Sequence, residues 1–454
     1  MFDKLAIVDQ NFSPELRKII RNMGWLSAER LLNIILSLLV GIYVVRYLGP
    51  ENFGKLSYGI SFVGLFGVIA KLGLDSIVVR NIVQDENSTA EILGTAFFLK
   101  LIGSFVTVTL VGGAALASNY DSQMQQITLI VASGLVFQSF EVIDFWFQSK
   151  VRSGAMAGVR SVGLIFDSAV KLSLIVLRLP LMAFIWLMLV DVLIVVAGML
   201  WVYFKHSQSI LQWKVRWSRA VGLLKDSWPL ILSAAMITIY MRIDQIMLGN
   251  MTSNEVVGNY AAAVKLSEAW YFVPIIICSS VFPAIIRAKH RSAQEYYRKM
   301  QQLYDLLAWI SLAVTVPTTF FSSNLMTALV GKEYISAGPI LALTMWAGPF
   351  VFLGVARSQW LVAENLTQFS FLSTALGAIT NVVLNLILIP HYGGSGAALA
   401  TVISYALAGY FSCFLFPPLI KAGLQQTKAI IVPFRINQNI IYFRQVFQLL
   451  GFNQ

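Results

Sequence analysis

About a dozen long apolar stretches run through this chain, and they limit its possible folds more than any other feature. A helix of about 20 apolar residues is long enough to cross the hydrocarbon core of a membrane. The sequence therefore predicts an all-α polytopic membrane protein. The twelve predicted spans lie near residues 24–47, 55–74, 92–117, 124–147, 159–179, 181–204, 228–249, 257–283, 302–322, 337–360, 369–389 and 394–416.

The composition excludes an ordinary soluble protein. Hydrophobic residues make up 57% of the chain and charged residues 12%, whereas soluble domains have about 25% charged residues. Cys278 and Cys413 both lie inside apolar runs, and the histidines are scattered. The sequence therefore predicts no disulfide, no metal site and no cofactor.

Lysine and arginine are unevenly distributed between the segments that connect the spans. If the N-terminus is cytoplasmic, the inside segments hold 23 of them, and the outside segments hold only Arg46, Lys55, Arg178 and Lys332. Because basic residues favour cytoplasmic loops, we expect both termini to be inside. The net charge of +11 then reflects topology, and no nucleic-acid partner is expected.

The longest interior connection divides the spans into two groups of six, and the two groups resemble each other. Leu48-Gly49 ends the first span and Leu248-Gly249 ends the seventh, and both pairs are followed within a few residues by a glycine and a tyrosine. Parallel repeats of this kind are typical of transporters whose site lies between the halves. We expect a cytoplasmic amphipathic segment (1–23), a bundle (24–204), a cytoplasmic linker (205–227), a second bundle (228–416) and an interfacial tail (417–454).

Charges lie in the middle of several spans, where each costs roughly 2.5 kcal/mol or more and usually faces a cavity, a partner or a ligand. In the fifth span Arg160, Asp167, Lys171 and Arg178 fall on one helix face. Asp167 and Lys171 are four residues apart and can pair. That pair leaves Arg160 and Arg178 unmatched, so this face is expected to meet water or an anionic ligand.

Other spans add polar side chains at membrane depth. Arg242 and Asp244 point to different sides of the seventh span, and we expect Arg242 in a cavity and Asp244 in a helix contact. Because arginine and lysine bind phosphate, the positive residues predict a cationic cavity for an anionic substrate, although each could instead belong to a structural pair. The candidate substrate-binding residues are Arg30, Asn33, Arg160, Lys171, Arg242, Lys265, Asn381 and Asn385.

A second group of charges could couple transport to an ion or gate it. Glu141, near the inner end of the fourth span, could gate transport or could pair with a lysine or arginine, and Asp144 nearby has the same two interpretations. The candidate coupling or gating residues are Asp167, Asp244, Glu141 and Arg80.

Five stretches of this chain resemble the Wzx-like lipid-linked oligosaccharide flippases, the polysaccharide transporter family of the MATE-like (MOP) exporter superfamily. Two positions depart from the family pattern: Asn81 stands where the family tends to carry Glu, and Ser139 where it has Gly. The similar stretches are YVVRYLGPENFGKLSYGISF (43–62), GLDSIVVRNIV (73–83), FQSFE (137–141), MRIDQIMLGN (241–250) and IPHYGGSGAALATVISY (389–405).

The resemblance implies two six-helix bundles around a central cavity, in the cytoplasmic membrane of a bacterium. It implies transport of undecaprenyl-pyrophosphate-linked oligosaccharide from the cytoplasmic to the periplasmic leaflet. It also implies alternating access, driven by H⁺ or Na⁺. A polysaccharide polymerase and a chain-length regulator are possible partners, besides membrane lipid.

Three other functions remain open from the residues. A MATE-type cation or drug antiporter would need an acidic cavity, which Asp167, Asp191 and Asp244 could supply. A flippase for the peptidoglycan lipid precursor would be expected to have more spans. A membrane enzyme would need a catalytic cluster, which the sequence does not show, so we expect no catalytic residues and a protein that is not an enzyme.

Overall fold

A computed structural model of the protein describes residues 14–118, 121–206 and 208–435. These residues are predominantly helical and form no strand. The first seven helices are α1 (Pro14–Lys71), α2 (Asp75–Gln84), α3 (Thr89–Ala117), α4 (Ser122–Phe137), α5 (Val142–Ser149), α6 (Ser153–Val176) and α7 (Leu181–Lys205).

The second half of the described chain contains nine further helices, several of which follow each other with only one to three residues between them. They are α8 (Trp217–Met251), α9 (Asn254–Glu268), α10 (Phe272–Arg291), α11 (Ala293–Leu329), α12 (Ala337–Thr344), α13 (Ala347–Ala363), α14 (Gln368–Ala406), α15 (Ser412–Leu415) and α16 (Ile420–Ile430).

Nine helical stretches among the described residues are long and apolar enough to cross a membrane. Two of them, Leu32–Gln84 and Gln368–Leu415, contain 53 and 48 residues, and each is long enough for two crossings because about 20 residues suffice for one. Helix α6, which carries the predicted fifth span, is not among the nine. The all-α membrane fold is confirmed, and the count of twelve spans and their orientation stay predictions.

Glycines break the two longest helices at the predicted boundaries between spans. Gly49 has φ 70° in α1, and Gly393 has φ 52° in α14. A Cβ atom disfavours such positive φ values, so glycine suits both positions. Pro50 follows Gly49 and lacks the N–H that would continue the helix ladder. The two breaks fall between predicted spans one and two and between spans eleven and twelve.

Large apolar side chains are exposed along the long helices. Val176 is 80% exposed and Phe320 is 81% exposed. Soluble monomers avoid large contiguous apolar surfaces, whereas lipid is an apolar solvent in which such side chains are stable. These surfaces agree with a multi-pass membrane protein.

The described chain divides into two compact units, of which the first ends at Arg242 and the second begins at Ile243. The boundary lies inside α8, so the first part of the predicted seventh span (228–249) belongs to the first unit. The predicted linker (205–227) lies entirely before this boundary. The division into six and six spans stays a prediction.

The chain after the last predicted span packs onto the core of the second unit. Ala422 and Ala429 of α16 are fully buried in that core, while Leu424 on the opposite face is exposed. Arg435 Nη1 donates to both carboxylate oxygens of the buried Asp305, at 3.0 and 3.1 Å. The predicted interfacial tail therefore begins as a docked helix, and residues 436–454 lie outside the described part.

Candidate functional site

A buried carboxylate, Asp244, lies at the centre of a polar cluster in the second unit. Asp244 comes from α8 and Tyr260 from α9, while Asn381, Asn385 and Thr401 come from the two arms of α14. The two asparagines are four residues apart and so share one helix face. Asp244 is 3% exposed, and both asparagines are 0% exposed. These five residues are called the Asp244 cluster below.

Both carboxylate oxygens of Asp244 accept hydrogen bonds. The Tyr260 hydroxyl donates to Oδ2 over 2.5 Å, and the Thr401 hydroxyl donates to the same oxygen over 2.7 Å. Asn385 Nδ2 donates to Asp244 Oδ1 over 2.5 Å and to Asn381 Oδ1 over 3.1 Å. Every donor is a neutral group, so the carboxylate is hydrogen-bonded while its charge is not balanced.

Asp244 has no cationic partner among the residues of known position. Burying a charge without a counter-charge is strongly unfavourable. The cluster is therefore more stable when a proton or a bound cation neutralises the carboxylate. Carboxylate, amide and hydroxyl oxygens are the ligands that hard cations prefer, and the cluster contains all three kinds.

Two amide atoms of the Asp244 cluster are buried without a hydrogen-bond partner in the described part of the chain: Asn381 Nδ2 and Asn385 Oδ1. Buried polar atoms are nearly always paired. Turning the Asn385 amide by half a rotation would bring its oxygen to Asp244, where a protonated carboxyl group could donate to it or a cation could bridge the two oxygens. The cluster can thus exist in two hydrogen-bonding states.

The first unit also buries charges, and there each one meets an opposite charge. Lys100 is 1% exposed, and its Nζ lies 2.9 Å from Glu141 Oε2. Arg160 Nη1 lies 2.9 Å from Asp144 Oδ2, and its Nε lies 4.0 Å from Glu29 Oε1. The expectation that Arg160 is unmatched is wrong, because Asp144 of the neighbouring helix α5 reaches the same face.

A 3₁₀ turn, Gln138–Glu141, separates α4 from α5 and positions Glu141. The carbonyl of Leu135 accepts a hydrogen bond from Ser104 Oγ of α3 over 3.0 Å, and Ser139 Oγ lies 3.4 Å from the same hydroxyl. These contacts hold the turn against α3, where Glu141 meets Lys100. The structure thus supports the interpretation that Glu141 pairs with Lys100, and a gating role for Glu141 stays a proposal.

The charge ladder on α6 is shorter than the sequence predicts. The pair of Asp167 and Lys171 is confirmed, with 2.7 Å between Oδ2 and Nζ. Arg178 lies beyond the end of α6, which ends at Val176, and has a φ of 52°. The ladder therefore consists of Arg160, Asp167 and Lys171, and all three are in ion pairs.

The remaining predicted substrate residues lie apart from the Asp244 cluster. Arg30 and Asn33 are exposed on α1, where Asn33 Oδ1 accepts from Ser37 Oγ over 3.3 Å. Arg242 is half-buried on α8, and Lys265 is exposed on α9. Of the side chains that the structure places, no carboxylate forms an ion pair with Arg30 or Arg242.

Arg80 forms an ion pair with Asp226 of α8, on the side that the sequence predicts to be cytoplasmic. Asp226 also lines a cavity of about 320 Å³, together with polar side chains of α2, α3 and α8. Asp226 belongs to the part of α8 in the first unit, so the pair fastens that part to α2. This contact gives Arg80 a structural role, and its gating role stays a proposal.

A second set of ion pairs supports the same contact. Arg219 of α8 lies 3.3 Å from Glu91 and 3.4 Å from Asp85. Hydrogen bonding by Ser88 holds the pKa of Asp85 below its usual value, so this carboxyl group remains charged at neutral pH. The start of α8 is thus held to the first unit by several charges.

Sequence reasoning did not connect Tyr260 or Thr401 with Asp244. Both lie in or near stretches that were notable for other reasons, the repeat motif and the segment 389–405. Nothing in their spacing marks them as partners, because Asp244 contacts Tyr260 and Thr401 across 16 and 157 positions.

Comparisons with known proteins place these features in a family. Residues 19–289 match the family described as "Polysaccharide biosynthesis protein". The chain is 26% identical over 189 residues to the "Putative O-antigen transporter" of Shigella dysenteriae, a match that covers 41% of this chain and 47% of that relative, about half its length. It is 22% identical over 383 residues to the "Probable low-salt glycan biosynthesis flippase" of Haloferax volcanii, covering 82% of this chain and 79% of that protein.

Solved structures share the fold at low sequence identity. An inward-facing multidrug resistance MATE family transporter of the MOP superfamily has a TM-score of 0.68 at 13% identity, covering 88% of this chain and 99% of that one. A lipid II flippase in an inward closed conformation has a TM-score of 0.67 at 14% identity, covering 91% of this chain and 92% of that one. The chain therefore belongs to the polysaccharide biosynthesis protein family and has the fold of the MATE-like (MOP) transporter superfamily.

Proposed function

We propose that this protein is a flippase for surface polysaccharide synthesis. Its cargo is an undecaprenyl-pyrophosphate-linked oligosaccharide, moved from the cytoplasmic to the outer leaflet of a bacterial cytoplasmic membrane. Family membership supports a role in polysaccharide synthesis. The relatives named O-antigen transporter and glycan flippase support transport of a lipid-linked glycan.

The part of the proposal that concerns coupling to an ion gradient rests on the Asp244 cluster. Transport against a gradient needs a site whose occupancy favours one conformation over another. Binding H⁺ or Na⁺ at Asp244 neutralises a buried charge and changes hydrogen bonds that join α8, α9 and α14. The cluster is therefore the proposed binding site of the coupling ion, and Asn381 and Asn385 serve that site rather than the sugar.

The pyrophosphate is assigned to cations that are not already neutralised. Lys100, Arg160 and Lys171 each pair with a carboxylate, and a phosphate would have to displace that partner. Arg30 and Arg242 have no such partner among the placed residues, and arginine binds phosphate in a bidentate manner. These two arginines are therefore the first candidates for the phosphate groups, and Asn33 on the same helix as Arg30 is a candidate for a sugar hydroxyl.

The test is complementation of a deletion strain at matched membrane expression. We expect the deletion to remove surface polysaccharide and to leave lipid-linked oligosaccharide in the cytoplasmic leaflet. Wild type restores export, whereas Arg30→Gln and Arg242→Gln restore it poorly. Arg298→Gln is the matched control, because Arg298 is an exposed arginine in a predicted cytoplasmic segment. Surface polysaccharide that persists in the deletion strain would contradict the proposal.

A MATE-type cation antiporter is the second candidate, and one observation favours it. The buried Lys100 of the first unit is neutralised by Glu141, whereas the buried carboxylate of Asp244 has no counter-charge among the described residues. A cationic drug could exchange with a proton at such a site. This function predicts a deletion strain with normal polysaccharide and raised sensitivity to cationic dyes, which is the opposite of the flippase result.

A further inference from the structure

A buried arginine in the second unit lacks a counter-charge. Arg357 of α13 is 5% exposed. Its Nη1 donates to Ser412 Oγ over 2.8 Å and lies 3.4 Å from Cys413 Sγ. No carboxylate forms an ion pair with it among residues 14–118, 121–206 and 208–435. An unpaired buried cation is strongly destabilising, so a partner is expected.

Two acidic residues on α11 and at the end of α13 already form ion pairs with other residues. Asp305, which follows Tyr304 on α11, binds Arg435. Glu364, at the end of α13, lies 3.0 Å from Lys289 Nζ. The charge of Arg357 is therefore not balanced by these carboxylates.

Three buried donors around this point also lack acceptors. They are Arg357 Nε, Trp360 Nε1 and the Tyr304 hydroxyl. Arg357 and Trp360 are three residues apart on the buried face of α13 and are neighbours on the helix surface. Tyr304 of α11 belongs to the same packed core as Trp360 and lies close enough to Arg357 to feel its charge.

The two residues that contact Arg357, Ser412 and Cys413, already form other hydrogen bonds. Ser412 uses its own hydrogen to bind the carbonyl of Ala408 over 2.9 Å. Gln426 Oε1 accepts from Cys413 Sγ over 3.5 Å, and Gln426 Nε2 donates to the carbonyls of Leu353 and Gly409. The bonds to the carbonyls of Ala408 and Gly409 stabilise the π-helical turn Leu407–Phe411, which precedes Ser412. Among the described residues, no acceptor contacts Arg357 Nε, Trp360 Nε1 or the Tyr304 hydroxyl, so an acceptor from outside this part of the chain is expected.

We propose that Arg357, Trp360 and Tyr304 bind a small monovalent inorganic anion of the halide class. A halide accepts N–H and O–H donors from several directions and supplies the negative charge that Arg357 lacks. All three side chains are buried, and Tyr304 and Trp360 belong to an apolar core, where a small anion is easier to desolvate than a phosphate. The anion would join α11 and α13, and Arg357 also contacts Ser412 of α15. This site is independent of the cargo and of the Asp244 cluster.

The experiment measures the thermal unfolding midpoint of the full chain in detergent. Chloride or bromide replaces gluconate at constant ionic strength. We expect a saturable rise of the midpoint for wild type and no halide-specific rise for Arg357→Gln. Trp360→Phe and Tyr304→Phe each remove one donor and should raise the half-saturating chloride concentration several-fold. These two variants keep the test valid if Arg357→Gln does not fold.

Trp213→Phe is the matched control, because the Trp213 indole donates to Tyr203 in the first unit over 3.1 Å. This change should lower the midpoint without altering the half-saturating chloride concentration. The proposal is overturned if wild type responds equally to chloride and gluconate. It is also overturned if Trp360→Phe and Tyr304→Phe keep the wild-type half-saturation.

Discussion

Three cations of the first unit form ion pairs, whereas one buried carboxylate of the second unit, Asp244, forms none among the described residues. In the first unit Lys100, Arg160 and Lys171 each meet a carboxylate within 3 Å. In the second unit the buried carboxylate of Asp244 meets only hydroxyl and amide groups. A balanced pair is stable without any ligand, whereas an unbalanced charge responds to a proton or a cation.

The repeat-related position makes the contrast sharper. Asp244 lies four residues before Leu248-Gly249, and Val44 lies four residues before Leu48-Gly49. Val44 is buried, as Asp244 is. An apolar side chain thus satisfies the structure at this position in one half, so packing alone does not require a carboxylate in the other. The difference agrees with the proposal that Asp244 binds an ion, while the ion pairs of the first unit contribute to stability.

Replacing Asp244 should produce the largest effect on transport. Asp244→Asn keeps the shape of the side chain and one acceptor oxygen but cannot take up a proton or balance a cation. We expect transport to fall by roughly tenfold or more, the scale of a typical coupling free energy, with no loss of thermal stability. Export of lipid-linked oligosaccharide by membrane vesicles under a proton or sodium gradient measures this. Full gradient-driven export by the variant would remove Asp244 from the coupling mechanism.

The same chemical change in the first unit should affect stability instead. Glu141→Gln leaves Lys100 buried without its carboxylate partner, which costs about 3 kcal/mol. The double variant Lys100→Met with Glu141→Gln removes both charges and should regain most of the loss, because an apolar replacement of a buried pair is often neutral. Denaturation in detergent measures both variants. Normal stability with lost transport would instead assign Glu141 a gating role.

Removing one hydrogen-bond donor to Asp244 should have an intermediate effect on transport. Tyr260→Phe deletes the hydroxyl that lies 2.5 Å from Asp244 Oδ2, and a hydrogen bond to a charged group contributes about 1.5 kcal/mol or more. We expect lower stability together with a changed H⁺ or Na⁺ concentration for half-maximal transport. Tyr203→Phe in the first unit, which loses the bond from Trp213, is the control and should change stability alone. An unchanged ion dependence in Tyr260→Phe would argue that this hydroxyl is only structural.

The sequence predicted the features that depend only on residues close together along the chain. Apolar run length gave the helical membrane fold, and the helix breaks at Gly49 and Gly393 fall where spans were predicted to end. The pair of Asp167 and Lys171 was predictable because residues four apart on a helix are always neighbours. These features need no knowledge of how helices pack.

The contacts between helices could not be predicted from the sequence alone. Arg160 was predicted to lack a partner because its own helix offers none, yet Asp144 of α5 reaches it. Asn381 and Asn385 form a polar stripe that suits either a sugar or a carboxylate, and only the packing of α14 against α8 brings them to Asp244. The candidate site was therefore predicted as a set of residue types, whereas the separation of the Asp244 cluster from the ion pairs of the first unit required the structure.

The smallest effect is expected at Lys171, and it tests whether the first-unit pairs are only structural. Lys171 pairs with Asp167 one helical turn away, and the two side chains are 29% and 12% exposed. Such pairs contribute about 0.5 kcal/mol or less. Lys171→Gln and Asp167→Asn should therefore keep nearly wild-type stability and transport in the same vesicle assay. If Lys171→Gln alone lost transport at normal stability, Lys171 would join Arg30 and Arg242 as a candidate for the phosphate of the cargo, and its pair with Asp167 would not be only structural.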